Sequence, residues 1–145
     1  MTDQKLDVAI VGGGMIVNDQ ILPSLYHLQR LGVVGQISIC ARHCTPLKAL
    51  AESAEFATAF PGHSFTPHPA LDESADVYHA ELYKEVIAGL APRQIVIVAV
   101  PENMHYPVTM TALAHDQNVL CVKPLVMTHN EAAEIEFAAF DKGLF

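Results

Sequence analysis

The chain has 145 residues, 51% of them hydrophobic and 17% charged, with a formal net charge of −8 at pH 7. That length suits one domain able to bury a core without metal or disulfide support, and the composition excludes a disordered chain. The acidic balance argues against the basic face a nucleic-acid partner needs, and no apolar run is long enough to span a bilayer.

The opening residues, MTDQKLDVAI, lack a basic segment followed by a long apolar stretch, so no signal peptide is expected and the cytoplasm is the default location. Three sparse cysteines, Cys40, Cys44 and Cys121, read as free thiols. Cys40, His43 and Cys44 lie close together, but no second ligand pair stands at zinc-like spacing, and no metal is expected.

Leu6 to Val11 is a short apolar run rich in β-branched residues, which predicts a buried strand. Ile16 to Leu31 carries Ile21, Leu22, Leu25, Leu28 and Leu31 at helical spacing, with Gly32 placed to end the helix. Gln36 to Cys40 predicts the second strand. Thr45 as N-cap and Pro46 in the first turn then open a helix running to about Phe56. A short third strand is expected at His63 to Thr66. Tyr78, Leu82 and Val86 share one face of a helix expected from about Asp72 to Leu90. Gln94 to Val100 is too apolar for a strand with one wet face. His105 to about His115 predicts a helix, Asn118 to Val122 a fifth strand, and the capping box Thr128-x-x-Glu131 a last helix ended by Gly143. Five β-α units predict an α/β doubly wound parallel sheet of order 3-2-1-4-5 with helices on both faces. On this reading residues 1–145 form one dinucleotide-binding domain. A sixth strand and a second domain are expected beyond Phe145, and an uncovered edge where they belong.

The chemistry gathers at the ends of these strands. The first runs into Gly12-Gly13-Gly14-Met15-Ile16-Val17, a G-x-G-x-x-V variant of the dinucleotide fingerprint. Gly12 allows the tight turn, and Gly14 lets the backbone approach a pyrophosphate held at the amides of Met15 and Ile16. Val17, at the third glycine position, implies looser helix–strand packing. The second strand ends in Cys40-Ala41-Arg42, so the acid that grips the adenosine ribose of NAD is missing. Arg42 is suited to pair with a 2′-phosphate, which favours NADP over NAD, or else it is a solvated surface residue. The fourth strand leads into Val100, Pro101, Asn103 and His105, expected near the ribose–nicotinamide end. His105 is equally readable as a surface histidine at a helix start. The fifth strand releases Lys123 and Pro124, and a lysine leaving a buried strand suits a ribose, a substrate hydroxyl or proton transfer.

The segments VGGGMI, VAVPENMHYPVTMTAL and NVLCVKPLVMTHNEAAEI together resemble the Gfo/Idh/MocA oxidoreductases, named for glucose–fructose oxidoreductase and inositol dehydrogenase. The resemblance covers essentially the whole chain as that family's N-terminal domain. Val122 stands where the family's Glu-Lys-Pro motif has its Glu, while Lys123 and Pro124 match. The resemblance implies that Lys123 is an active-site lysine and that Asn103 and His105 belong to the strand-four loop. It implies hydride transfer between NAD(P) and a sugar, polyol or related hydroxy compound. It also implies a C-terminal half that carries most substrate contacts and the homo-oligomer interface, so that these residues alone are expected to be inactive. A non-catalytic NAD(P)-binding sensor module of the same fold is the alternative. A methyltransferase shares the glycine turn but accounts for neither Ala41 nor Lys123-Pro124.

Overall fold

The computed structural model describes residues 5–145. Five parallel strands, β1 (Leu6–Val11), β2 (Val34–Cys40), β3 (Thr66–His68), β4 (Ile95–Val98) and β5 (Asn118–Cys121), form one sheet of order β3-β2-β1-β4-β5. The helices are α1 (Leu22–Arg30), α2 (Thr45–Ala51), α3 (Ala54–Ala59), α4 (Leu82–Ala88), α5 (His105–Ala114) and α6 (His129–Lys142). This is the predicted α/β sheet in the predicted order.

Alternation along β1 builds two cores. Val8 and Ile10 pack with Leu22, Leu25 and Tyr26 of α1 and Leu47 and Leu50 of α2. Val11 faces the opposite layer, with Val96 and Val98 of β4, Tyr83 and Ile87 of α4, and Val108 and Ala112 of α5. A helix on each face explains why the central strands are apolar on both sides at Val8 to Val11 and Ile95 to Val98. At their N-terminal ends, buried amides replace apolar packing. Gln94 Oε1 accepts from the Asp7 N–H at 2.7 Å, and Gln117 Oε1 from the Gln94 N–H at 2.9 Å. The opposite end of the sheet is left to the loops.

Four elements differ from expectation. The helical run 15–30 contains a π-helical turn, Val17–Ile21, in which the Leu22 N–H reaches back to the Val17 carbonyl. Pro23 follows at once; it lacks an N–H and its ring crowds the preceding turn, and the wider turn absorbs both. The helix expected from Thr45 to Phe56 breaks at Ser53, whose extended backbone and Oγ, accepting from the Phe56 N–H at 3.3 Å, start α3. Thr45 is itself helical, and its predicted capping role falls to Cys44, which makes no side-chain cap. The third strand forms at Thr66–His68 because the chain is still turning at His63, whose N–H bonds the Phe60 carbonyl around Gly62.

The long helix expected from Asp72 shrinks to α4. Residues before it are held in turns, by Val77 N–H to Ser74 carbonyl and His79 N–H to Arg42 carbonyl, bonds a helix would forfeit. The last helix matches best. Thr128 and Glu131 form the reciprocal capping box, and Gly143 closes α6 at φ +60. β5 lies at the sheet edge, where Phe145 accepts from the Val119 N–H at 2.7 Å and Leu120 is 54% exposed.

Candidate functional site

The turn after β1 begins where Gly12 donates its N–H to the Cys40 carbonyl at 2.8 Å, tying the C-terminal ends of β1 and β2 together. Gly12 sits at φ +118, and a Cβ there would stand 2.0 Å from the Ala99 carbonyl oxygen beyond β4. Only glycine lets three strand ends meet so closely. A Cβ on Gly13 would reach Pro46 at 3.3 Å, whereas one on Gly14 would meet nothing within 4 Å. Gly14 therefore faces open space, and its carbonyl receives the Val17 and Asn18 N–H groups as the helix begins. The first N–H groups of that helical run have no partner within it and point towards the turn.

In front of these glycines lies a cleft of about 540 Å³. Its wall joins Gly12, Gly13 and Gly14 to Ala41, Arg42 and His43 after β2, to His79 and Tyr83 on the α4 side, and to Val100 and Pro101 after β4. Among the described residues, no carboxylate lines it. In a chain of net charge −8, the charged or titratable groups that do line it are Arg42, His43, His79, Cys40 and Tyr83. Burial holds the Cys40 thiol up at about 12, so it faces the cleft as a neutral group.

The predicted residues divide. Gly12, Gly14, Arg42, Val100 and Pro101 come together on the cleft wall. Met15 and Ile16 are exposed beside it at the start of the helical run. Asn103 is exposed in a 3-10 turn, Glu102–Met104, outside the wall. Lys123 and Pro124 are exposed on the loop after β5, the strand next to β4. His105 lies neither on the surface nor in the cleft. It is 1% exposed, and its Nε2 and Nδ1 lie 2.8 Å and 2.7 Å from the carbonyls of Val100 and Pro124. Neither ring nitrogen is left to meet a ligand. Val17, at the third glycine position, is fully buried in the core.

His43, His79 and Tyr83 were missed as wall residues. His79 fell inside a segment read as helix, and no local pattern announces a bond from its N–H to the distant Arg42 carbonyl. His43 was weighed as a metal ligand, and among the described residues no cluster of His, Cys, Asp and Glu able to hold a metal occurs.

A glycine turn between a buried strand and a helix, at the C-terminal edge of a parallel sheet, is the setting the fingerprint requires. The family described as "Oxidoreductase family, NAD-binding Rossmann fold" (GFO_IDH_MocA) matches residues 6–144. The chain belongs to this family.

Solved structures carry the same fold. The protein yvaA of Bacillus subtilis is 24% identical, with a TM-score of 0.63, over 98% of this chain and 34% of its own. KijD10, a 3-ketoreductase of Actinomadura kijaniata solved with TDP-benzene and NADP, is 23% identical with a TM-score of 0.62, over 98% of this chain and 37% of its own. GenD2 from gentamicin A biosynthesis, solved with NAD, is 25% identical with a TM-score of 0.59, over 97% and 33%. An uncharacterized oxidoreductase of Schizosaccharomyces pombe is 39% identical over 51 residues, 35% of this chain and 14% of that protein. The chain thus spans about a third of the solved relatives' lengths.

The cleft fits the dinucleotide of this family. Gly14 leaves room for a pyrophosphate, and the absence of a carboxylate leaves phosphate unopposed. His43 Nδ1, shielded from solvent, has no hydrogen-bond partner among the described residues. Among the described residues, no helix is long and apolar enough to cross a membrane.

Proposed function

We propose that the chain is the cofactor domain of an NADP-preferring oxidoreductase acting on a sugar, polyol or related hydroxy compound. The observation that carries this reading is the cleft wall itself: a glycine turn open at Gly14, continuous with Arg42 and free of carboxylates. The amides of Gly14, Met15 and Ile16 bind the pyrophosphate, as helix starts bind anions. Arg42 pairs with a 2′-phosphate, which an acid at Ala41 would have repelled. Val100, Pro101 and Asn103 flank the ribose and nicotinamide.

When bound, the nicotinamide supplies the hydride acceptor or donor. Lys123, beyond β5, hydrogen-bonds the reacting oxygen and favours the developing alkoxide. Pro124 fixes the lysine's exit from the strand. Substrate contacts and self-association belong to residues outside this chain, as its one-third share of its solved relatives supports. The proposed setting is the cytoplasm.

Turnover of the complete enzyme carrying Lys123→Met tests this reading. The change keeps the stem's apolar bulk and removes the charge. It lowers turnover by at least about a hundredfold, the low end of general acid–base contributions, while cofactor affinity changes far less. Near-normal turnover in the variant would remove Lys123 from the chemistry.

A further inference from the structure

His105 occupies a position no surface or ligand role explains. It opens α5, is 1% exposed, and its ring stands between two loops. On one side is the carbonyl of Val100, where β4 delivers Pro101 to the cleft; on the other is the carbonyl of Pro124, one residue beyond Lys123. Both partners are main-chain acceptors, so each contact needs a hydrogen on the ring nitrogen that makes it. A neutral ring satisfies one at a time, and an imidazolium both.

The loop that carries Lys123 has few other ties. Before it, the Val122 N–H bonds the Val98 carbonyl at 3.0 Å, the last rung between β5 and β4. After it, Cys121 Sγ reaches the Leu125 carbonyl at 3.7 Å, a long and weak contact. The contact from His105 at 2.7 Å is the short one, and it falls on the residue adjoining Lys123.

We infer that His105 is a positioning residue: through the Pro124 and Val100 carbonyls it fixes the Lys123 loop against the Pro101 side of the cleft. The role rests on the proposed function insofar as Lys123 is the group positioned, but the tether itself is a property of this chain alone. Removing the ring's donors should leave the two cores intact and free the loop. It should also separate binding from placement, because the glycine turn and Arg42 lie on other strands.

Two readouts on the chain test this. The first is backbone ¹⁵N relaxation in the absence of cofactor. In the wild type, Lys123, Leu125 and Val126 have order parameters near those of rigid backbone, about 0.85. In His105→Phe they fall below about 0.6, the flexible range, while Val96, Val98 and Val108 stay rigid. His105→Gln, which keeps an N–H donor, restores part of the order and decides the matter if the phenylalanine variant does not fold. A loop as rigid in both variants as in the wild type, or order lost equally in β4 and α5, overturns the inference.

The second readout is lysine acetylation with and without NADPH, followed by mass spectrometry. In the wild type NADPH slows acetylation of Lys123. In His105→Phe NADPH binds within about threefold of wild-type affinity, yet protection of Lys123 is lost. Retained protection in that variant overturns the inference. Wild-type chain that binds no NADPH counts against the proposed function instead and leaves the relaxation result to decide the tether.

Discussion

The backbone N–H of His79 donates to the carbonyl of Arg42 at 2.7 Å, joining the segment before α4 to the end of β2. The Arg42 guanidinium lies 5.7 Å from the centroid of the Tyr78 ring, so the side chain is braced from the same segment. His79 in turn pairs with Glu73 at 2.8 Å, which keeps that carboxylate occupied outside the cleft wall. Arg42 is therefore braced on the wall of a cleft lined by no carboxylate among the described residues.

Arg42→Ala is expected to weaken NADP binding by about 1.5–3 kcal/mol, the range for a hydrogen bond to a charged group. NAD binding should change by much less, since its ribose offers no dianion. Paired titrations of both cofactors into wild type and variant measure this directly. Equal wild-type affinity for the two cofactors would contradict the preference.

Gly12 and Gly14 should respond differently to substitution, although both belong to the fingerprint. A Cβ at Gly12 would enter the Ala99 carbonyl at 2.0 Å with φ at +118, so Gly12→Ala should destabilise the fold by at least about 3 kcal/mol. Urea unfolding monitored by circular dichroism gives the value. A midpoint within experimental scatter of the wild type would show that the strand ends are not locked as described.

Alkaline pH should loosen the chain through two buried acids. Burial raises the Tyr26 phenol and the Cys40 thiol to about 12 each, from ordinary values of 10.0 and 9.0. Both groups are neutral when protonated, and the folded state holds their protons more tightly than the unfolded state. Their contribution is thus fully present below about pH 9 and is lost as the pH rises towards 12. Tyr26→Phe removes one of these acids. Its urea midpoint should fall less than that of the wild type between pH 9.5 and 11. Parallel curves would exclude Tyr26 as a cause.

Most of the sheet was legible because it is written in local terms. Leu6–Val11 is bounded by its own composition, and Thr128 with Glu131 announces α6 by a bond the two residues make with each other. Gly12 and Gly14 declare a turn between a buried strand and a helix. Ser53 and Pro23 reset helices locally, but two of the elements that moved are set by distant partners. The third strand takes its register from Ser38, Ile39 and Cys40, and the residues before α4 follow Arg42 rather than their own periodicity. His105 shows the limit most clearly. Nothing in its neighbours reveals that the Pro124 carbonyl, nineteen residues on, will sit against its ring.

Calorimetric titration of NADPH into wild-type chain and into Gly14→Val tests the central claim most directly. A Cβ at Gly14 would meet no neighbouring atom within 4 Å, so the variant should keep the wild-type circular dichroism spectrum and unfolding midpoint. It should nevertheless bury the approach to the first helical amides and abolish measurable dinucleotide binding. A folded Gly14→Val chain that binds NADPH as tightly as the wild type would contradict the account and remove the glycine turn from the site.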